Sequence, residues 1–528
     1  MVRISETVRT RFGRSGVRTA LAVLALFSLV TAVLAYLLPQ RLAIAFTAAV
    51  LVAEAGVVVL VVLRILRGVR RAEEARQRPE SVQGRSGPFR SVQLTDEQRR
   101  ILKNWRARLF GGFSATAMRE LRPVVTSASA SPAYRLAVAE MVMDWYAAKD
   151  ARREDREPLR FDIVITSHFA LPGGTTSANA EEIRAYRKAG LTVGLLHHPV
   201  YHWDVARPID QKILDLVDGE QVRLLDAADA AECDLMIVRF PPAVMRLLDD
   251  RPRITAARTV LVVNQTPYSF YGPEGGTSVA WDVRTVYENL TEWVGDHTWY
   301  AIGPVVRDAL REHHADEMER VDLADAFWYE SIDAAEWRRP GQRERDGGPF
   351  RIGRHSRDAR LKWPDTADLV RACYPTEGDD YEVRILGGAE IPKEILGGLP
   401  ANWVDHPFNS MPSRDFLADV DAMVYFISSE GAEAFGRAPL EAMAVGLPCV
   451  MEHRFEELFG DAAIYCSPEE VRGVLDRLRT DPAYYAEQAE KAVRYVREHF
   501  SHEAQLARVA GLGVERLRTA AADGVVAA

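Results

Sequence analysis

Short apolar strands alternate with helices in two separate series along this 528-residue chain. The strands predicted in the first series are residues 161–167, 191–196, 235–238 and 259–263, and those predicted in the second are residues 350–353, 381–386, 422–426 and 448–451. Strands that alternate with helices pair in parallel, with the helices as crossovers. The sequence therefore predicts an α/β protein with two doubly wound, Rossmann-like domains that face each other across a cleft. Ligands of such domains bind beyond the carboxyl ends of the strands.

The rest of the chain divides around these two series. We predict a transmembrane hairpin over residues 1–66, a linker over 67–94, a helical segment over 95–155, Rossmann-like domains over 156–320 and 321–500, and a C-terminal helix or tail over 501–528. The linker is rich in Arg, Glu, Ser, Gly and Pro, as solvated linkers are. Thr95 is the predicted N-cap of a helix over 96–110, and Ser131-Pro132 opens another helix that runs to about residue 148.

Two long apolar runs near the N-terminus, residues 19–38 and 42–63, define the predicted hairpin. A membrane-spanning helix needs about 20 apolar residues. Arginines flank both runs on the outside, and only Arg41 lies between them, so the positive-inside rule places both termini in the cytoplasm. This predicts a multi-pass protein of the cell (plasma) membrane with a cytoplasmic catalytic domain. A cleaved signal peptide is the alternative for the first run, but that run is long and lacks a polar cleavage region.

Glu54 interrupts the second apolar run. Acids within a membrane usually have a functional partner. No basic residue lies opposite Glu54 in the predicted hairpin, so a contact between copies and a protonated side chain without a role are equally open.

Composition and residue spacing exclude several classes of protein. The net charge of −9 argues against a sequence-independent nucleic-acid binder, which carries a basic excess. The four cysteines form no CxxC pair, so neither a disulfide framework nor a zinc cluster is predicted, and a reducing compartment fits. Pro199 interrupts the helix that would align His198 with His202, and no metal site is predicted. The chain has neither a Walker A phosphate loop nor a GxGxxG motif that opens a helix.

The most informative motif runs from Glu433 to Pro448 and contains two acids, Glu433 and Glu441, separated by seven residues. Pro439 suits the first turn of a helix, and Gly446 suits its C-terminal cap. Gly436, Arg437 and Ala438 would then lie at a helix N-terminus, where backbone N–H groups and the helix dipole bind a diphosphate. Glu441 would lie one turn in, within reach of a ribose diol, and Glu433 would precede the helix and hold sugar hydroxyls. The alternative is a capped core helix whose acids only complement the dipole.

Two further motifs follow predicted strands. Arg354 and Lys362 lie at and after the strand that begins at Phe350, where cations neutralise the charge that builds on a leaving diphosphate. A solvated basic turn is the alternative. Gly173 and Gly174 follow the first strand of the chain and let backbone approach a ligand closely, although an ordinary tight turn has the same composition.

These three motifs, in this order and spacing, resemble the retaining glycosyltransferases of the GT-B fold, often called family 4 (glycosyl transferases group 1). Their signature is an acid, seven residues and a second acid within a phrase that residues 433–448 match closely. The resemblance is strongest over residues 350–470. It is weaker over 160–310, where Gly173-Gly174 and residues 301–307 are its landmarks, and it does not cover 1–155.

The resemblance implies a role for each residue of the predicted site. Arg354 and Lys362 would contact the donor diphosphate, Glu433 the donor sugar and Glu441 the ribose. Arg354, Lys362 and Glu433 are the predicted catalytic residues, and the predicted donor-binding residues are Gly173, Gly174, Gly436, Arg437 and Glu441. The resemblance also implies retention at the anomeric carbon, no metal and no cofactor beyond the nucleotide-diphosphate sugar itself, because the leaving diphosphate takes the acceptor proton.

One departure from the family concerns a His that often follows a late strand of the N-terminal domain. Residues 262–268 occupy that place here and offer Asn264 or Gln265 instead. His168, after the first strand, is the candidate substitute, with a structural histidine as the other interpretation.

The sequence therefore predicts a membrane-anchored glycosyltransferase. It would transfer a sugar with retention from a nucleotide-sugar to a cell-envelope polysaccharide or lipid-linked glycan acceptor. Its partners would be that nucleotide-sugar, the acceptor and the membrane, and not nucleic acid. The alternative is a catalytically degenerate GT-B module that binds glycans or partner proteins in a membrane assembly.

Overall fold

The computed structural model describes residues 94–151, 157–272, 275–341, 343 and 347–522. The predicted hairpin over 1–66, including Glu54, and all of the predicted linker except Leu94 lie outside these residues and stay predictions. No helix within the described ranges combines the length and the apolarity that crossing a membrane requires.

A segment of three helices precedes the sheets: α1 (Asp96–Phe110), α2 (Ser114–Thr126) and α3 (Pro132–Ala151). Thr95 caps α1 through a capping box with Gln98, which confirms the predicted helix start. The segment has its own small core, and Phe113 attaches it to the next domain, where its buried ring lies edge-on to Tyr201 at 5.0 Å between ring centroids. We call residues 94–151 the helical segment.

The first Rossmann-like domain contains a seven-stranded parallel sheet. Its strands and those of an antiparallel hairpin (β6 and β7) are β1 (Leu159–Ser167), β2 (Val193–His197), β3 (Val222–Leu224), β4 (Ala230–Arg239), β5 (Arg253–Val263), β6 (Tyr268–Gly272), β7 (Gly275–Val279), β8 (Thr298–Ala301) and β9 (Asp322–Leu323). The helices that accompany them are α4 (Gly174–Lys188), α5 (Gln211–Leu214), α6 (Val283–Val294), α7 (Pro304–His313), α8 (Ala315–Met318) and α9 (Ala334–Trp337). The strand order is β3-β2-β1-β4-β5-β8-β9.

The second domain contains a six-stranded parallel sheet in the order β12-β11-β10-β13-β14-β15. Its strands are β10 (Phe350–His355), β11 (Tyr381–Leu386), β12 (Trp403–His406), β13 (Ala422–Tyr425), β14 (Cys449–Met451) and β15 (Ile464–Tyr465). Its helices are α10 (Ala367–Cys373), α11 (Glu390–Leu396), α12 (Ser413–Ala418), α13 (Arg437–Val445), α14 (Glu456–Phe459), α15 (Val471–Thr480) and α16 (Pro482–His499). The predicted α/β class with two parallel sheets is confirmed.

Each sheet has a point where its strand order reverses. The chain builds outward from β1 to β3 and then returns to the other side of β1 with β4, and it repeats this from β10 to β12 and back to β13. In doubly wound sheets the crevice at such a switch point is where ligands bind. We therefore expect ligands at the loops that follow β1 and β4 in the first domain and at the loops that follow β10 and β13 in the second.

The chain ends against the first domain, in α17 (His502–Gly511) and α18 (Glu515–Ala522). Gln505 on α17 donates a hydrogen bond to the buried Tyr186 hydroxyl at 2.6 Å, and the Glu515 backbone N–H donates to Asp234 at 3.0 Å. The stretch predicted as a C-terminal helix or tail thus packs on the first sheet's helices.

The two domains also meet at the start of α7. A Cβ atom added at Gly303 would lie 3.1 Å from the backbone oxygen of Ala434, so only a residue without a side chain fits this approach comfortably. Arg307 binds the Glu457 carboxylate in a bidentate pair, with N–O distances of 2.6 and 3.0 Å. The landmark stretch 301–307 therefore holds the loop that carries Glu433 against the first domain.

Candidate functional site

Predicted site residues gather at the switch point of the second sheet. Arg354 is the penultimate residue of β10, and Lys362 lies in the single turn of 3-10 helix (Arg360–Lys362) that follows the strand. Glu433 lies in the loop between β13 and α13. Because both strands end at the same edge of the sheet, the two loops meet there.

Helix α13 has the boundaries that the motif predicted. Gly436 is its N-cap with a φ of 90°, and Gly446 is its C-cap with a φ of 94°, a left-handed conformation that glycine adopts without steric cost. The first backbone N–H groups of a helix have no partner inside the helix, so those at Arg437 and Ala438 suit an anion. Most of the helix is buried, which fixes the direction of this N-terminus.

Glu433 binds two side chains from the neighbouring loop and strand. Its carboxylate pairs with the Lys362 ammonium and accepts a hydrogen bond from the Tyr425 hydroxyl at 2.7 Å. Burial raises the pKa of Glu433, but the charge of Lys362 and these two hydrogen bonds outweigh burial, so the net pKa lies below its ordinary value. An ionised Glu433 and a partly exposed Lys362 therefore lie together before α13.

Arg354 lies beneath this pair and not beside it. Its guanidinium is fully buried, stacks over the Tyr425 ring at 4.1 Å, and donates a hydrogen bond to the backbone oxygen of Lys362. In this structure Arg354 therefore holds the turn that carries Lys362 and presents no surface to solvent. Direct contact of Arg354 with a diphosphate stays a prediction, because the guanidinium is buried in this structure.

Glu441 lies one turn into α13, as predicted, with a hydrogen-bond donor at each oxygen. One oxygen accepts from His355 Nε2 at 3.0 Å, and the other accepts from Arg437 Nε at 3.1 Å. Burial raises the pKa of Glu441, but these hydrogen bonds and the charge of Arg437 lower the net pKa to about 2. The carboxylate is therefore ionised although it is buried.

The Arg437 guanidinium turns away from the helix N-terminus toward the segment that joins the two sheets. It donates to the backbone oxygen of Ser331 at 2.9 Å and lies 3.6 Å from the buried Glu330 carboxylate. The backbone N–H of Arg437 lies at the helix N-terminus, where a donor phosphate is predicted to bind. Its side chain points away from that position.

Three of these neighbours were not in the predicted site: His355, Tyr425 and Glu330. His355 and Tyr425 are the last residues of β10 and β13, so a polar side chain at the carboxyl end of a predicted strand was the available signal. The His355 Nδ1 atom is buried and has no hydrogen-bond partner within the described part of the chain. Nothing in the sequence pattern points to Glu330, because it comes from the segment between the domains.

The glycines of the first switch point border open space. Gly173 has a φ of 101° and is the N-cap of α4, which begins at Gly174, and no atom lies within 4 Å of a Cβ added at either position. Asn264, after β5, donates to the Thr175 hydroxyl at 3.4 Å, and its own Oδ1 is buried with no partner among the residues the structure describes. The stretch predicted to replace the family's His therefore reaches the N-terminus of α4.

His168 is enclosed by the first domain. Its Nδ1 accepts the Ala170 N–H at 3.3 Å, and its ring lies 5.4 Å from that of His197 and 5.8 Å from that of Trp203. Burial lowers the pKa of His168 to about 4, so it is neutral near pH 7. These contacts favour the interpretation as a structural histidine. Within the described ranges, no three His, Cys, Asp or Glu side chains are grouped to hold a metal ion.

A cavity of about 630 Å³ lies elsewhere, between the helical segment and the first sheet. Trp145 and Lys149 of α3 line it together with Leu225 and Asp249. It shares no lining residue with the predicted site. The candidate site is therefore the open region at the switch points and not this cavity.

No protein-family model matches this chain, and no curated protein matches it. Among solved structures, it is similar to HepE of Anabaena in complex with UDP and glucose, with 14% identity over 66% of this chain and 98% of that one and a TM-score of 0.46. It is also similar to a glycosyltransferase from Rickettsia africae, with 12% identity over 69% and 100% of the two chains and a TM-score of 0.47. An alpha-glucosyltransferase in complex with UDP-glucose and DNA gives 13% identity over 67% and 99%, with a TM-score of 0.41. Likenesses this distant assign no activity to the chain.

The low pKa of Glu441 predicts a pH dependence of stability. The pKa of the Glu441 carboxyl is about 2 in the folded protein, against an ordinary value of 4.5 in the unfolded chain. Its ionised form therefore stabilises the fold fully above pH 4.5, and this contribution is lost as the pH falls toward 2. Between about pH 5 and pH 2.5 we expect Glu441→Gln to lose less unfolding free energy than the unmodified protein, with a difference on the order of 2 kcal/mol. Denaturant unfolding in detergent, followed by tryptophan fluorescence, measures this. The exposed Glu430→Gln is the control, and equal pH slopes for all three proteins would contradict the prediction.

Proposed function

We propose that this protein is a membrane-anchored glycosyltransferase that takes a sugar from a nucleotide-diphosphate donor and transfers it with retention to a cell-envelope or lipid-linked glycan. One observation carries the proposal: the ionised Glu433–Lys362 pair lies just before the N-terminus of α13, and a second ionised carboxylate, Glu441, lies one turn into that helix. A nucleotide-sugar presents a diphosphate, a ribose diol and sugar hydroxyls, and the site has a complement for each.

The diphosphate would bind at the first turn of α13. Backbone N–H groups and the helix dipole stabilise its charge there, and the Lys362 ammonium adds a positive charge that matters most as the bond to the sugar breaks. Arg354 acts through Lys362 in this proposal, because it holds the backbone of that turn and stacks on Tyr425. Glu433 stays held by Tyr425 and accepts hydrogen bonds from sugar hydroxyls.

The ribose would bind at Glu441. An ionised carboxylate has about four lone-pair positions, and His355 and Arg437 each use one. The remaining positions accept the two hydroxyls of a ribose diol. His355 and Arg437 thereby keep Glu441 charged and fixed in orientation, so that no reorganisation is needed when the donor arrives.

The acceptor would approach from the first domain, beside Gly173 and Gly174, where a close approach meets no side chain. In the proposed transfer, the acceptor oxygen forms a bond to the anomeric carbon on the face from which the nucleotide leaves. The bond from that carbon to the phosphate oxygen breaks, and the departing phosphate takes the acceptor proton. No dedicated protein base is required, which agrees with the enclosed position of His168 and with the pKa of about 4 that makes its imidazole a weak base.

A degenerate GT-B module that binds glycans or partner proteins is the second candidate. The specific observation in its favour is that Glu441 and Arg437 already bind partners inside the protein. The two candidates differ in donor binding, because a degenerate module has no need of a nucleotide. A nucleoside diphosphate that raises the thermal midpoint of the protein would favour the enzyme.

For donor binding, we predict that Glu441→Ala weakens nucleotide-sugar affinity by roughly 1–3 kcal/mol, because ribose hydroxyls lose their acceptor in a buried site. Isothermal calorimetry with the donor found in a nucleotide-sugar screen measures this. Glu456→Ala, which removes an exposed carboxylate at the start of α14, should bind like the unmodified protein. An unchanged affinity in Glu441→Ala would remove Glu441 from the site.

For catalysis, we predict that Lys362→Ala lowers kcat more than it raises KM, because charge on the diphosphate grows in the transition state. Arg360→Ala is the matched control, since Arg360 is an exposed cation in the same turn. Steady-state kinetics of sugar transfer separate the two constants. If Lys362→Ala changes only KM, Lys362 is a binding residue and its electrostatic role in the reaction is wrong.

For topology, we propose that both apolar runs span the cell membrane and leave residues 67–528 in the cytoplasm, where nucleotide-sugars are made. A cysteine introduced at Ser91 should then resist an impermeant thiol reagent in intact cells and react after permeabilisation. The four native cysteines are buried, so their background labelling is low. Labelling of Ser91→Cys in intact cells would reverse the topology and remove the supply of donor.

A further inference from the structure

The helical segment carries half of the exposed large apolar side chains that the structure describes. Five of the ten lie there, although the segment is a small part of the described chain. Three of them are on α3: Leu136, Met143 and Tyr146 are 54%, 70% and 53% exposed. Leu136 and Met143 lie two turns apart and so share one face, and Tyr146 borders that face one turn further on. Exposed apolar groups concentrated in this way mark an interaction site.

A row of basic residues lies on the outer face of α1. Arg99, Lys103 and Arg106 follow each other at spacings of one helical turn, and all three are exposed. Phe110 continues the same face, with the Arg106 guanidinium 4.6 Å from the centre of its ring. We call the exposed faces of α1 and α3 together the outer surface of the helical segment.

The basic row and the apolar face adjoin. Arg106 on α1 forms an ion pair with Asp144 on α3 at 3.0 Å, and Asp144 directly follows Met143. The helical segment, residues 94–151, contains nine basic and six acidic residues, whereas the whole chain has a net charge of −9. The outer surface is therefore both apolar and locally basic in an acidic protein.

Folding of the segment does not need this surface. The opposite faces of the three helices form a core of their own, with Leu109, Leu121 and Val138 fully or almost fully buried. Phe113 and Tyr201 attach the segment to the first domain from the inner side. Leu136, Met143 and Tyr146 are therefore not members of either of these two clusters.

We propose that the outer surface of the helical segment lies on an anionic lipid bilayer, with Leu136, Met143 and Tyr146 in the headgroup–acyl boundary and the basic row of α1 on lipid phosphates. Interfacial helices combine an apolar face with Lys and Arg beside it, and their binding depends on anionic lipid. The proposal rests on the membrane anchor of the proposed function, because only residues 64–95 separate the second apolar run from α1.

Charge argues against a second copy of this chain as the partner. A symmetric pair would bring the same surface of each copy together, and both copies of that surface carry the basic row of α1. Like charges placed opposite each other disfavour association. Anionic headgroups, in contrast, complement both parts of the surface.

The surface would hold the first domain at the membrane, on the side from which a lipid-linked acceptor arrives. The hairpin alone would anchor the chain without setting which face of the first domain meets the membrane. Contact through α1 and α3 would restrict the orientation of the catalytic domains. A transferase with a lipid-linked acceptor would then keep its site turned toward the membrane that holds the acceptor.

The test uses the full-length chain with a nitroxide label on Met143→Cys, reconstituted in bilayers of phosphatidylglycerol and phosphatidylcholine in equal parts or of phosphatidylcholine alone. We expect the label in the anionic bilayer to be accessible to oxygen and protected from a water-soluble nickel chelate. Phe408→Cys is the matched control, since Phe408 is an exposed apolar residue of the second domain, and its label should remain accessible to the chelate.

A charge-reversed variant, Arg99→Glu with Lys103→Glu and Arg106→Glu, should return the Met143→Cys label to water. Its sedimentation with membranes through the hairpin should be unchanged. A Met143→Cys label that is as accessible to the nickel chelate as the Phe408→Cys label in anionic bilayers would overturn the proposal. Spin–spin coupling between Met143→Cys labels of two molecules would overturn it in favour of a second copy.

The thermal shift with nucleoside diphosphate is measured on the same samples. If the label enters the bilayer but no nucleotide binds, the proposed function fails and the membrane surface stands. If nucleotide binds but the label stays in water, only the membrane surface is wrong.

Discussion

The ionised carboxylate of Glu441 is the interaction on which the candidate site depends. A buried charge is tolerated only when opposite charges and hydrogen bonds compensate it, and His355 and Arg437 provide both. His355 ends the central strand of the second sheet, and Arg437 reaches the backbone at Ser331 in the segment that joins the sheets. One carboxylate thus ties α13, β10 and the connection between the domains together, and the direction of the α13 N-terminus follows from it.

A second electrostatic contact extends this arrangement to the first domain. Burial raises the pKa of Glu181 on α4. The hydrogen bond from His502 and the charge of Arg437 outweigh burial, so the net pKa lies below its ordinary value. Helix α4, which begins at Gly174, therefore lies near Arg437, the residue that holds Glu441.

The alternation of apolar runs with helical stretches in the sequence was sufficient to predict the α/β class and its parallel sheets. Apolar runs bounded by Gly and Pro located β1, β2, β4, β5, β10, β11, β13 and β14, but not β3, β6 to β9, β12 or β15. Gly436 marked the N-terminus of α13, and Gly446 marked its C-terminal cap. Side-chain direction was not available from the pattern. Arg354 and Arg437 have the right positions in the chain, but one turns under the Lys362 loop and the other toward Ser331, since those choices depend on partners far away in sequence. Glu330 was not predicted for the same reason, and the outward face of the helical segment became visible only once its inner core was known.

The central claim is that a nucleotide-sugar binds at the first turn of α13 between Lys362 and Glu441. The most direct measurement is an experimental structure of the full-length protein with a nucleoside diphosphate bound. We expect phosphate density at the backbone N–H groups of Arg437 and Ala438, with ribose hydroxyls on the Glu441 carboxylate. A nucleotide bound elsewhere, such as in the cavity beside Trp145, with Glu441 still joined only to His355 and Arg437, would contradict it.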